Sequence, residues 1–534
     1  MATGTLTQTN RQIGVSFAPV LPDDELLLQS FEHVSALGRP SITTLELVSR
    51  RPDIDPATLL GQAARVRLET PEGDRFFHGY VWSFDCLTQE AGLWVYRAEI
   101  RPWLGMLAAG RDYRVFLDKS AIDVVRTVMG VHSGPTELEE NLFGTPRVRP
   151  QIVQYGESDF DFISRLLEDE GVYYQIECTD DSETIVLCDD STHHDPKPGV
   201  ESLPFQPVEQ FGAGRLHPEA LTRFTRSGAY RCSRYASIDF APERPTTYVF
   251  GLCDGVLDHG PGWRQRHAHT EAFAGAQTLE EASALARLRM EESEAQSEVY
   301  RGETRSRLLA PGMKFGVSEH PGYSARDRFV TTSVSIKAAS SPFSSGVHTG
   351  AFSFSCSFEA IDAARQFRPA RTTPKPRATL QTAVVVAAAD GDETPDLASD
   401  DYCCVRLRFH WDHYAVGRHP VGDVDDVSDG GSSCWARTSQ SWAGKNFGWV
   451  SIPHPGQEVL VDFIDGDPDR PIVVGRVYNE SNRPMMTPAE NTEKMQLRDS
   501  GQNHLLMGAE SGTQGIELYS PTGATRVRIG GSMG

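Results

Sequence analysis

Apolar and polar positions alternate most clearly in the last third of the chain. Val459, Val461 and Phe463 alternate with Glu458, Leu460 and Asp462, and 472–477 is a β-branched run stopped by Asn479. Between them lies Asp465-Gly466-Asp467-Pro468-Asp469. Gly466 is free to take positive φ and Pro468 fixes its own, so 458–478 is predicted to be a hairpin. Shorter strands are predicted at 434–439 and 448–452, with a loop over 440–447 between them.

Earlier in the chain the same period recurs in short runs at 42–48, 64–69, 75–84 and 93–100, with a turn at Pro71-Glu72-Gly73-Asp74. This spacing predicts a small antiparallel barrel or sandwich. Helical spacing appears at 118–130, where Asp118 is the expected cap, Ile122, Val125, Val128 and Met129 share a face, and Gly130 is the expected stop. It returns at 158–171, capped by Ser158 and closed by Gly171, and at 278–297, opened by Thr278 with Glu281 three residues on. Leu279, Ala282, Leu285, Ala286 and Met290 are expected to face inward there. Strands are predicted at 172–177, 184–188, 329–336 and 350–360. Residues 1–366 are therefore expected to form an α+β hub of barrel-like units.

The stretch 367–378 carries three prolines and several basic residues with almost nothing apolar, which predicts a stiff exposed linker. Beyond it, 379–479 holds five or six strands, including 379–388 and 403–409, and two acidic loops at 390–401 and 423–429. That is the size of an OB-type barrel. After a connector at 480–494, very short strands at 495–498, 504–507, 516–519 and 527–529 are divided by glycines. Strands this short have no core of their own, so 495–534 is expected to begin a needle in which several copies wind round one axis as a β-helix or β-prism. A continuation past Gly534 is expected from the same texture. The predicted class is mainly β: an α+β hub of two barrel-like units, an OB-fold collar and the start of a trimeric needle.

Composition narrows the function. Among 534 residues, 51 Lys and Arg stand against 73 Asp and Glu, a formal charge of −22. Such an excess argues against nucleic acid or an anionic membrane as partner. The longest apolar run, 383–389, is far too short to span a bilayer and is expected to be a buried strand. The polar start of the chain has no signal-peptide pattern, which predicts cytoplasmic synthesis. Nine cysteines with no C-x-x-C spacing suggest buried free thiols instead of a disulfide framework or zinc site.

Several segments together resemble one family. These are Ser432-Ser433-Cys434-Trp435-Ala436-Arg437, Ser441-Trp442-Ala443-Gly444, Pro455-Gly456-Gln457-Glu458-Val459, Asp465 to Pro471 with Val474 to Asn479, Glu157-Ser158-Asp159-Phe160 through Gly171, and Gln496 to Gly501. They resemble VgrG proteins, the spikes of bacterial type VI secretion systems, which are related to the hub and spike of contractile phage tails. Pro453-His454-Pro455 departs from the Pro-Arg pair of many relatives. The resemblance implies a homotrimer that caps an Hcp tube at its hub end and bears a PAAR-type tip on its needle. It also implies contacts with baseplate and effector proteins, assembly in the cytoplasm, secretion by the machine and mechanical puncture of a target membrane. A phage-tail or extracellular-injection hub has the same architecture, and a spike carrying an enzymatic domain after residue 534 is a further alternative.

Candidate chemistry is sparse. Asp465, Asp467 and Asp469 have the opening spacing of a calcium loop, but Arg470 replaces its glycine and Arg476 stands where a closing Glu is needed, so a turn with surface aspartates is expected. His410 and His413, His193-His194-Asp195, and His267-Ala268-His269 each have metal-ligand character without a second half. No G-x-S-x-G, H-E-x-x-H or phosphate-binding loop occurs, and the 15 residues of 480–494 are too few for an enzyme domain. No catalytic, cofactor or metal residues are assigned, and a structural, non-enzymatic role is predicted.

Overall fold

A computed structural model describes residues 6–132, 137–196, 198–256, 267–272, 275–324, 327–343, 352–387, 402–413, 433–486 and 492–531. Two compact units divide it. The first comprises Met1–Thr379, Trp411–Cys434 and Phe463–Arg470; the second comprises Leu380–His410, Trp435–Asp462 and Pro471–Gly534.

The first unit is built on a 12-stranded sheet. Strands Ile13–Ser16, Ala63–Thr70, Gly73–Glu90, Leu93–Arg101, Arg39–Ser49 and Leu27–Ala36 lie side by side in that order. The sheet continues through Arg328–Ala339, Ser353–Asp362, Glu298–Thr304 and Leu221–Gly228, so the expected barrel-like units share one sheet, joined where Val34 faces Ser335. Period-2 alternation sends Leu45, Leu47, Val66, Leu68, Val334, Ile336 and Phe358 into one core. The other face carries charge pairs such as Glu32 with Lys337 and Arg301 with Glu359.

A second core forms around the helices Ala121–Val131 and Asp159–Glu170. The first starts later than expected. Ser120 caps it, accepting from the Asp123 N–H while Asp123 accepts in return from Ser120 N. Asp118, the expected cap, sits in the preceding strand at φ +50°, and Gly130 lies inside the helix. The second helix has the predicted ends: the Ser158 hydroxyl accepts from Asp161 N at 3.0 Å, and Gly171 adopts φ +67°. Helix Leu279–Ala295 is capped by Thr278, which accepts from Glu281 N at 3.2 Å. It lays Ala282, Leu285, Ala286 and Met290 on the sheet of Arg234–Asp239, Val249–Asp254 and Ala268–Ala272, while Leu279 stays exposed. Gly251 permits that packing, because a Cβ there would stand 2.0 Å from the Ala282 carbonyl oxygen.

The second unit holds most of a closed barrel whose strands run in the order Gln381–Val385, Cys404–Phe409, Cys434–Thr438, Pro471–Val477 and Glu458–Phe463. The predicted alternation holds, with Val459, Val461 and Phe463 buried alongside Ala383, Leu407 and Phe409. The expected loop at 440–447 is instead mostly hairpin: Trp442–Gly444 pairs with Phe447–Trp449, and the strand expected at 448–452 ends at Trp449. A separate four-stranded meander, Lys494–Arg498, His504–Gly508, Gly515–Ser520 and Thr525–Gly530, matches the predicted short strands. The acidic loops at 390–401 and 423–429 fall outside the described residues, as does the end of the 383–389 run. The nine cysteines are free thiols; Cys188, Cys356 and Cys434 are buried, whereas Cys86 is exposed.

Candidate functional site

Helix Asp159–Glu170 buries charged residues as well as apolar ones. Arg165 donates from Nε to Glu157 Oε2 at 2.8 Å and from Nη2 to Glu157 Oε1 and the Val153 carbonyl, both at 2.7 Å. Burial pushes the Glu157 carboxyl up, against the pull of Arg165. One turn on, Glu168 Oε2 accepts from the backbone N–H groups of Thr372 and Thr373 at 2.9 Å each, and Oε1 pairs with Arg39 at 3.0 Å.

Those threonines belong to the predicted exposed linker. The segment has no regular secondary structure, as its prolines dictate, but it is held down along its length. Arg365 pairs with Glu298 at 2.8 Å, Arg368 with Glu291 at 2.8 Å, and Arg371 with Glu271 at 2.7 Å. Burial would raise Glu271, but hydrogen bonds from Arg371 and Tyr235 hold it below the ordinary carboxylate range. The basic residues that suggested solvation are half of an ionic zipper, and the segment is a strap on the first unit.

The Asp-rich turn completes the zipper. Lys375 Nζ lies 2.6 Å from Asp467 Oδ1 and 2.6 Å from Asp469 Oδ2. Asp469 Oδ1 also accepts from Val153 N at 2.7 Å, and Arg470 reaches the buried Asp239 at 3.1 Å. Asp465 takes φ +56° and Gly466 φ +72°, reversing the chain as predicted. Asp465 is exposed and pairs with Arg377. Asp467 and Asp469, expected at the surface, are instead partly covered anchors.

The histidines do not converge. His410 meets the Thr382 hydroxyl at 3.0 Å, His193 stacks on Phe143 with ring centroids 4.1 Å apart, and His194 meets the Tyr173 hydroxyl at 2.8 Å. His267 lies edge-on to Tyr230, His269 stacks on Tyr235, and His413 and Asp195 are exposed. Among the described residues no group of three His, Cys, Asp or Glu side chains could hold a metal ion, and no described helix is long and apolar enough to cross a membrane.

The meander of the second unit is two-faced. Cross-strand register places Met495 opposite Met507, Leu497 opposite Leu505, Leu505 opposite Leu518, Met507 opposite Ile516, Ile516 opposite Ile529 and Leu518 opposite Val527. Eight aliphatic side chains thus share one face, and six of them are 41–65% exposed. The other face is organised by Glu517, which accepts from Arg528 Nη2 at 2.6 Å and approaches Arg526 at 3.4 Å and His504 at 3.3 Å. The Arg528 hydrogen bond holds its carboxyl below the ordinary range.

Comparison with known proteins gives this architecture a class. Residues 34–342 match the phage tail baseplate hub (GPD) family, and residues 417–478 match the type VI secretion system/phage-baseplate injector OB domain. The fold is similar to that of an E. coli protein, c3393, described as a component of the type VI secretion system with structural similarity to the T4 bacteriophage tail proteins gp27 and gp5 (TM-score 0.60, 18% identity, 87% of this chain and 99% of that one). The molecule is thus of the contractile-tail hub class. In sequence it is 34% identical over 481 residues to the Pseudomonas aeruginosa type VI secretion system spike protein VgrG1b, covering 89% of this chain and 62% of that protein. It is 33% identical to VgrG1a of the same organism, covering 90% of this chain and 72% of that protein. The chain belongs to the VgrG family of type VI secretion spike proteins. It spans under two thirds of the length of VgrG1b.

Proposed function

We propose that the chain is a structural spike of a type VI secretion machine, a homotrimer that caps an Hcp tube, carries a PAAR-type tip and effectors, contacts the baseplate, and punctures target membranes mechanically. Residues 1–366 act as the hub, 367–378 as a strap, 379–479 as the OB-fold collar, 480–494 as a connector and 495–534 as the first turn of a β-helical needle. The machine assembles in the bacterial cytoplasm and ejects the spike. The observation that carries this reading is the all-aliphatic face of the meander. A sheet that leaves Leu497, Leu518 and Ile529 half exposed needs cover, and copies of the same sheet turned about a common axis bury it while removing the free edges.

Rigidity is the mechanism. The ion-paired strap and the Glu517 cluster fix the chain around its cores, so that axial force moves the spike without unfolding it. Light scattering of the purified chain tests the assembly. A species of about 177 kDa, three times the 58.9 kDa chain, is expected, and a monomer at micromolar concentration overturns the reading.

A further inference from the structure

The closed barrel turns its apolar side chains inward and leaves basic ones outside. On Cys404–Phe409, Val405, Leu407 and Phe409 are buried, so Arg406 and Arg408 point outward; on Cys434–Thr438, Cys434 and Ala436 are buried, so Trp435 and Arg437 do. The two strands are neighbours in the barrel. Three guanidinium groups and one indole therefore share one face. Elsewhere arginines meet carboxylates, as Arg165, Arg368 and Arg371 do. Here the neighbours carry none: Arg408 faces Val384, Arg437 faces Ile472, and the Arg406 guanidinium lies over the Trp435 ring at 5.2 Å. Glu458, opposite Val384 on the next strand, accepts instead from Asn479 at 2.9 Å. Among the described residues none of the three arginines has a hydrogen-bond or ion-pair partner, and Nε and Nη1 of Arg406 are buried without one. Half-buried guanidinium groups left in this state are costly until an acceptor arrives.

We propose that this face of the barrel binds an extended, carboxylate-bearing segment of another protein. The docking does not depend on how many copies of the chain assemble. Charge and spacing both select the occupant. Each guanidinium offers a planar fork that a carboxylate meets with two parallel hydrogen bonds. Arg406 and Arg408 are two positions apart on one strand, about 6.7 Å, which is also the repeat of alternate side chains on an extended peptide. A segment with acidic residues at every second position therefore meets them in register, with Arg437 on the adjacent strand as a third contact. Nucleic acid fits less well. Single strands are held by stacking bases on open aromatic faces, and Arg406 already lies over Trp435, the one aromatic ring among these four side chains. A chain of formal charge −22 also repels a long polyanion more than it repels a short acidic segment.

The test titrates a short dye-labelled peptide of alternating Glu and Thr with the full chain and follows fluorescence anisotropy. Saturable binding that weakens with salt is expected, and none for the same peptide with Gln in place of Glu. Arg408→Gln should weaken binding by roughly tenfold, the loss of one charge-assisted pair. The triple variant Arg406→Gln, Arg408→Gln, Arg437→Gln should abolish it. Circular dichroism checks that both variants fold; the single substitution removes no hydrogen bond among the described residues. Absent binding by the native chain, or equal binding by the triple variant, overturns the proposal. Displacement of the peptide by oligothymidylate at lower concentration than by the unlabelled peptide assigns the face to nucleic acid, and loss of the light-scattering trimer in the triple variant assigns it to a second copy; either result overturns the proposal. Binding by a chain that scatters as a monomer upholds it while overturning the trimeric reading.

Discussion

The ammonium of Lys375 lies 2.6 Å from a carboxylate oxygen of Asp467 and equally close to one of Asp469. A cation belonging to the chain therefore occupies the mouth of a turn whose aspartate spacing suggests calcium. Lys375→Met leaves two partly covered carboxylates facing each other, a loss of about 1–2 kcal/mol once solvent screening is allowed for. The midpoint of chemical unfolding should fall accordingly. Millimolar calcium should leave the melting temperature of the native chain unchanged, and a rise would show that the ion competes with the lysine.

Glu168 is the other anchor of the strap, accepting from two consecutive backbone amides while pairing with Arg39. Glu168→Ala removes a buried acceptor and strands these donors, which costs about 3–5 kcal/mol when a buried charged partner is lost. Local release should precede global unfolding. Brief trypsin treatment is expected to cut after Arg371 in the variant and to spare that bond in the native chain.

These anchors show what sequence patterns convey and what they do not. The barrel strands, the helix ends at Ser158 and Gly171 and the short strands of the meander were legible because each depends on residues a few positions apart. The Asp467 and Asp469 carboxylates looked like surface groups because their partner, Lys375, is some ninety positions away, and local composition carries no trace of it. The strap reads as a solvated linker for the same reason: four bases among prolines give no sign of the distant carboxylates, Glu291, Glu271, Asp467 and Asp469 among them, that the fold brings beside them. Two local signals were available and missed. Ser120-x-x-Asp123 is a better capping pair than Asp118 offers, and Lys445-Asn446 flanked symmetrically by Trp442 and Trp449 marks a two-residue hairpin.

His33 makes stability depend on pH. Its ring is buried, with Nδ1 2.8 Å from the Thr43 hydroxyl, and burial, assisted by the nearby Arg75 charge, pushes its pKa from 6.5 down to about 3. The unfolded chain takes up this proton below its ordinary pKa and the folded chain does not. The contribution is thus complete above that value and lost as pH falls toward the folded one, at up to about 1.4 kcal/mol per pH unit. Asp169 and Glu271, whose folded pKa values are depressed, lose their contributions only below the ordinary carboxylate range. In the window between about pH 6.5 and 4.5, His194 and His320, also lowered by burial, slope the same way and the raised Glu157 the opposite way, so the share of His33 is the difference between the native chain and its variant. Unfolding midpoints measured across that window should slope downward with acidity in the native chain and less steeply in His33→Gln.

Neighbouring residues of the meander separate assembly from stiffness. Leu518 lies on the aliphatic face and Glu517 on the opposite one, drawing Arg526, Arg528 and His504 together. Leu518→Lys puts a charge on the face through which the proposed trimer would assemble, so light scattering should find a monomer, with the first unit still folded by circular dichroism. Glu517→Gln leaves the aliphatic face intact and removes the charge that gathers three basic side chains. The trimer should therefore persist while its melting temperature falls, and the loss should shrink at high salt, which screens the repulsion among Arg526, Arg528 and His504. If the two substitutions instead had the same effect on assembly, the aliphatic face would not be what joins the copies.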